Sequence, residues 1–232
     1  MDASYFKIRD GSRYANKAFL VIAGIRNDGI REILGAGIAD CEDELTWEDL
    51  FSDLKERGLK KVDLIISDGH NGIQNAVERS YHGCSWQMCL VQFIRTVLKK
   101  IPRKDHKSVV AILKDSLTDP RRLQECILEL ESRGFSRAAN TAERFQYDLM
   151  NYRSFPPEHW RRIRTTNLLE RVHKEIKRRY RSIGAFPNDS SLLRIAGSIL
   201  MDINEEWVTG RRYLSDVSEI PSVDTGTEIT AY

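Results

Sequence analysis

Val62-Asp63-Leu64-Ile65-Ile66-Ser67-Asp68-Gly69-His70-Asn71-Gly72 is the stretch on which the fold turns. Val62–Ile66 reads as a short buried strand, Ser67-Asp68-Gly69-His70 as the turn that ends it, and a helix is expected from about Asn71 to Arg79. Upstream, Tyr5–Ile8 alternates, Ala18–Gly24 is a continuous apolar run, and Ile30–Ile38 is β-branched and punctuated by glycine. Asp10-Gly11 and Asn27-Asp28-Gly29 supply the turns between them, so the pattern is a three-stranded antiparallel meander. Trp47, Leu50, Phe51 and Leu54 then keep helical spacing, with Thr46 as the expected N-cap and Gly58 as the terminator. A strand, turn and helix after a meander imply an α/β architecture: a mixed sheet flanked by helices.

Cys84–Met88 is the candidate closing strand, with Trp86 and Cys89 read as core residues. From Cys89 to about Leu149 the apolar spacing is helical, as in Val97/Leu98/Ile101, Val109/Leu113 and Leu123/Ile127/Leu130. After the breaker Phe155-Pro156-Pro157 a long helix is expected from Trp160 or Thr166 to about Tyr180, and another from about Ser190 to Trp207. The expected organisation is a first part of a core over 1–88, an all-helical insertion over 89–155, C-terminal core helices over 156–212 and a fraying tail over 213–232.

With 41% hydrophobic and 30% charged residues, the composition excludes a disordered polyelectrolyte. The net charge of +2 conceals a basic stretch from Arg161 to Arg181 and a mainly acidic one from Asp40 to Glu56. A basic helix face fits either a polyanionic partner or plain solvation, and charge alone does not decide between them. Four cysteines without a signal peptide are expected to be reduced thiols of a soluble cytoplasmic protein. The apolar run Ala18–Ile25 is too short to span a bilayer, so no membrane association is expected. His70, His82, Cys84 and Cys89 lack the paired Cys-x-x-Cys or His-x-x-x-His spacing of a zinc site.

Asp2 opens the first strand, and Asp68 ends the buried strand at 62–66, where a carboxylate is desolvated unless a cation or donor meets it. Glu170 lies instead within a basic helix whose neighbours could satisfy it without metal. Mg²⁺ is held by a few carboxylates plus water and substrate phosphate. Two such ions about 4 Å apart activate the attacking oxygen and stabilise the leaving one at phosphorus, which takes converging acids. With 34 acidic residues in the chain, three carboxylates chosen this way point to metal-dependent nuclease chemistry without establishing it. His70, beside Asp68, fits a contact to phosphate or to metal-site water, and equally a helix-start histidine with local hydrogen bonds.

Three segments carry a resemblance: Asp2-Ala3-Ser4-Tyr5-Phe6-Lys7-Ile8-Arg9, Ser67-Asp68-Gly69-His70-Asn71-Gly72 and Arg164-Thr165-Thr166-Asn167-Leu168-Leu169-Glu170-Arg171. With Trp86-Gln87-Met88-Cys89, and Lys177-Arg178-Arg179 before Gly184-Ala185-Phe186-Pro187-Asn188, the chain resembles the mutator-type insertion-sequence transposases. The resemblance implies an RNase H-like fold with an Asp-Asp-Glu triad and a helical insertion between the second Asp and the Glu. It assigns Asp2, Asp68 and Glu170 as catalytic ligands of Mg²⁺ or Mn²⁺, two ions being expected. It further implies DNA as partner, with strand cleavage at the element end and transfer of the freed 3′ hydroxyl to target DNA. A homodimer or higher oligomer on DNA, and nucleoid association when bound, are also implied. His70, Arg164, Asn167, Arg171, Lys174, Lys177, Arg178 and Arg179 become the expected DNA contacts, with Arg161 and Arg162 beside them.

Two positions depart from the family pattern: Gln92 stands where a Cys-x-x-His pair would place histidine after Cys89, and His173 where the helix often has Asn. Such transposases normally carry an N-terminal region that recognises element ends, whereas Met1 here directly precedes the first Asp, so an N-terminally truncated form is expected. The alternatives are an inactive DNA-binding remnant and an RNase H-like nuclease without strand transfer.

Overall fold

The computed structural model describes residues 1–214 and is α/β. Strands β1 (Asp2–Asp10), β2 (Arg13–Ile25) and β3 (Arg31–Ala39) form the antiparallel meander, with β2 central. Helix α1 (Glu44–Glu56), strand β4 (Leu64–Ser67), helix α2 (Asn71–Ser80) and strand β5 (Ser85–Met88) follow. Four helices come next: α3 (Leu90–Leu98), α4 (His106–Ser116), α5 (Pro120–Ser132) and α6 (Ser136–Phe145). After the one-turn α7 (Trp160–Ile163), α8 (Asn167–Ile183) and α9 (Asp189–Thr209) complete the described chain.

The unbroken apolar run in β2 reflects burial on both faces. Ala18, Leu20 and Ile22 point into a core with Trp47, Phe51 and Leu54 of α1. Phe19 and Val21, on the other face, join Leu169, Val172 and Ile176 of α8 and Leu192, Ala196 and Ile199 of α9. Two alternating sets of side chains thus clamp the meander between helices, and the acidic end of β1 is held in register by Asp2 lying opposite Val21.

The single mixed sheet expected from the sequence is instead two hydrogen-bonded ladders. β4 pairs only with β5, in parallel, from Leu64 opposite Ser85 to Ser67 opposite Met88. The Met1 amine donates to the Ile66 carbonyl at 2.7 Å, which brings the head of β1 beside β4.

Helices α3 to α6 share the core beneath β4 and β5 through their apolar faces: Phe93, Val97, Val109, Leu113, Leu130 and Phe145 pack with Ile65, Trp86 and Met88. The buried Gln87 amide ties the end of this segment to β5, donating to the Leu149 carbonyl (3.0 Å) and accepting from the Tyr152 N–H (3.0 Å).

Asp43 rather than Thr46 caps α1, because its carboxylate accepts both the Thr46 N–H (2.9 Å) and the Thr46 hydroxyl (2.7 Å). Of the two expected starts of the long helix, Thr166 holds as the residue before α8, and Trp160 does not, because the Arg164 carbonyl accepts the Leu90 N–H (3.1 Å) instead of an intrahelical donor and separates α7 from α8. Tyr213 and Leu214 dock through N–H bonds to the Gly29 carbonyl (2.8 and 3.1 Å), while the tail expected to fray lies from residue 215 outside the described residues. No described helix is long and apolar enough to cross a membrane.

Candidate active site

Strand β4 delivers Asp68 as the first residue beyond its end, half-buried, with Oδ1 accepting the His70 N–H at 3.2 Å. The two glycines around it are demanded by close approach. A Cβ on Gly69 would lie 2.5 Å from Cζ of Phe145, and one on Gly72 would lie 2.9 Å from the backbone of Asp43 and Glu44. The Asp-Gly-His-Asn-Gly segment is therefore the point where α6 and the start of α1 press on the end of β4.

Asp2, at the head of β1, has a side chain only 14% exposed. Its carbonyl lies 3.3 Å from Nε2 of the buried His173 on α8, and its Oδ2 lies 3.7 Å from the same nitrogen. Burial first, and Lys177 next among the opposing influences, hold the imidazole down to about 4 against the partial compensation of the Asp2 carbonyl, so His173 is neutral at physiological pH. The contact assigns the proton to Nε2, donating to the Asp2 carbonyl. His173 thereby joins α8 to the head of β1.

The third acid arrives from α8. Cys89, at the end of β5, accepts through Sγ from both the N–H (3.3 Å) and the hydroxyl (3.4 Å) of Thr166, the residue before the helix. The Cys89 N–H in turn donates to the Ser67 carbonyl at 2.8 Å, directly before Asp68. Glu170, one turn into α8, is thus fixed relative to Asp68 through a buried sulfur. Its Oε1 accepts from Gln92 Nε2 (3.0 Å) and pairs with Arg95 (2.5 Å), both on α3. Gln92, the departure from the family pattern, therefore sits on the candidate third acid.

The charges of the other two acids act on Asp2. The Asp2 carboxyl is pushed up to about 6, chiefly by burial; the Met1 ammonium opposes this, and the charges of Asp68 and Glu170 add to it. A fourth acid, Glu42, belongs to the same group: burial, then the charges of Asp68 and Asp2, push it up to about 7. The Trp47 indole lies near enough to ease this, yet neither group forms a well-aligned hydrogen bond, and Glu42 Oε1 is buried without a partner. Sequence reasoning missed Glu42, whose only signal was its place between β3 and the acidic cap of α1.

As these side chains stand, no group of three or more His, Cys, Asp or Glu among the described residues forms a metal-binding cluster. Glu170 is turned onto Arg95, and Asp68 is engaged with the turn backbone. The donor set nonetheless fits a hard divalent cation, being all carboxylate oxygen, with Asp2 raised chiefly by burial and the buried Oε1 of neighbouring Glu42 unpartnered.

Of the expected DNA contacts, His70 caps α2 without a side-chain hydrogen bond and is exposed, as are Arg164, Asn167, Arg171, Lys174, Lys177, Arg178 and Arg179. Asn167, Arg171, Lys174 and Arg178 recur at helical spacing, making one stripe along α8 beside Glu170. Arg178 and Arg179 are partly neutralised by Glu175, at 2.7 and 3.4 Å.

The model of the Mutator family of transposases matches residues 1–210, and the chain belongs to that family. It is 36% identical over 222 residues to the transposase for insertion sequence element IS256 in transposon Tn4001 of Staphylococcus aureus, covering 92% of this chain and 57% of that protein. Similar matches are the transposase for ISRM5 of Rhizobium meliloti (33% identical; 93% and 55% covered) and that for IS1081 of Mycobacterium tuberculosis (30%; 92% and 52%). The chain spans little more than half the length of these relatives.

Proposed function

We propose that this chain is the catalytic region of a DNA transposase, in which Asp2, Asp68 and Glu170 form the active site of an RNase H-like core. The observation that carries the reading is the set of contacts that ties the three acid-bearing elements together, His173 of α8 on the Asp2 carbonyl and Cys89 between the Ser67 carbonyl and Thr166 at the start of α8. Asp2, Asp68 and Glu170 would hold Mg²⁺ or Mn²⁺, two ions being expected, once Glu170 is released from Arg95. The bound cations would neutralise charge on the entering and leaving oxygens at phosphorus.

The residues supply position. Asp2 and Asp68 stand on strand ends whose backbone is tied to buried partners, and Glu170 is set by the Cys89–Thr166 contact. The α8 stripe meets backbone phosphates, giving salt-dependent, sequence-independent affinity. In the first step water attacks a phosphodiester at the element end, and the P–O bond to the 3′ oxygen breaks to leave a 3′ hydroxyl and a 5′ phosphate. In the second, that hydroxyl loses its proton and attacks target phosphorus, displacing the target's own 3′ oxygen, which takes up a proton. DNA is held by a dimer or higher oligomer at the nucleoid, because two element ends must meet one target.

The test is Mg²⁺- or Mn²⁺-dependent cleavage and strand transfer on DNA bearing the terminal repeats, comparing the chain with Asp68→Ala and Glu170→Ala. Loss of cleavage in both variants with DNA binding retained supports the reading. A second reading, DNA binding without catalysis, is favoured by the pairing of Glu170 with Arg95 and Gln92. Salt-sensitive binding without metal-dependent cleavage under any condition would establish that one instead.

A further inference from the structure

A cleft of about 490 Å³ opens beside Asp68, between the start of α2 and helices α3 and α6. Lys99 and Lys100 from the end of α3, and Arg137 and Arg144 from α6, line it, with Asp68 as the only carboxylate in the lining. Four cations against one acid is a strong local imbalance in a chain whose net charge is only +2. Among the described residues, Lys99, Lys100 and Arg137 are exposed and enter no ion pair. Arg144 is held differently: its guanidinium donates to the side-chain oxygens of Asn71 and Gln74 and lies 4.7 Å over the Phe145 ring. Those acceptors are neutral amides, so they fix the guanidinium without cancelling its charge.

We infer that this cleft is a second phosphate-binding face, separate from α8, which grips the DNA backbone next to Asp68. Arg144, oriented by neutral acceptors and an aromatic face, is preorganised for a phosphate oxygen, while Lys99, Lys100 and Arg137 serve as mobile point charges. The neutral donor Asn140 in the same lining suits a phosphate or sugar oxygen. Helix α2 begins at the cleft wall with no side-chain cap, which adds the partial positive charge of its first turn. Of the residues that the sequence nominated for DNA contact, only His70 reaches this cleft. The helical segment over 89–155 then holds one stretch of strand while α8 holds another, with Asp68 between the two grips.

The inference rests on the proposed action on DNA, and the experiment separates the two. Fluorescence anisotropy on a terminal-repeat duplex, titrated over salt, compares the chain with Lys99→Gln/Lys100→Gln/Arg137→Gln. A second triple, Lys104→Gln/Lys107→Gln/Lys114→Gln, removes the same charge from exposed positions of the helical segment outside the cleft. Circular dichroism melting checks that both remain folded. The cleft triple is expected to make the slope of log Kobs against log salt shallower by about 2 to 3, close to one per lost phosphate contact, with the control triple near wild type. Equal slopes for the cleft triple and wild type, or equal shifts in both triples, overturn the cleft while leaving action on DNA standing. Absence of any salt-dependent DNA binding by the wild-type chain overturns both.

Discussion

Replacing Glu42 by Gln removes a carboxylate whose charged form the fold opposes. Burial, Asp68 and Asp2 raise Glu42 from 4.5 to about 7, so the folded state holds its proton where the unfolded chain has lost it. A raised folded value means that the contribution is fully favourable below about 4.5 and is lost as pH rises through about 7. At 1.36 kcal/mol per pH unit the difference is about 3 kcal/mol. Because the side chain keeps some access to water, screening reduces this to about 1–2 kcal/mol. The assay is urea unfolding of both proteins in EDTA at half-unit steps from pH 4.5 to 8, read as variant minus wild type. Subtraction removes most of the contribution of His173, lowered to about 4, while any relief of Asp2, raised to about 6, by loss of the Glu42 charge adds to the gain of the variant in the same direction. The variant should gain about 1–2 kcal/mol on wild type between about pH 4.5 and 7, with little further change up to 8. A difference that stays flat with pH would refute the placement of Glu42 in the acidic group.

Arg95→Gln removes the cation paired with Glu170, so Mn²⁺ measured by calorimetry should bind more tightly than to wild type; unchanged affinity would mean that the pair does not compete with metal. Cys89→Ala leaves the buried Thr166 N–H without an acceptor and should cost about 1–3 kcal/mol in urea unfolding, with cleavage falling further than DNA affinity because Glu170 loses its anchor. Gly69→Ala drives a methyl to within 2.5 Å of the Phe145 ring and should cost about 1–3 kcal/mol, part of which Phe145→Leu in the same chain restores; an unperturbed single variant would show that the ring gives way freely.

The residue pattern was sufficient for the meander, for most helix cores and for the place of Asp68, because periodicity and turn chemistry are local. The run Ala18–Gly24 announced a strand, though only packing shows that both its faces are covered, and the helical segment after Cys89 was legible from its spacing. The N-cap of α1 was misread by three residues, since Thr46 and Asp43 are both good caps and only backbone geometry chooses between them. Likewise, the break at 164–166 depends on a distant backbone partner, Leu90 at the start of α3, that no local pattern reveals.

What the sequence determined by itself was the chemistry on offer: acids at strand ends, a basic helix, and glycines beside Asp68. Tertiary structure alone decided how those parts meet. It divided the strands into two ladders, brought Glu42 to Asp2 and Asp68, turned Glu170 onto Gln92 and Arg95, and set Lys99, Lys100, Arg137 and Arg144 around one cleft. The reason is physical: periodicity records which face of an element is buried, whereas charge coupling and long-range hydrogen bonds depend on distances between elements that only packing fixes.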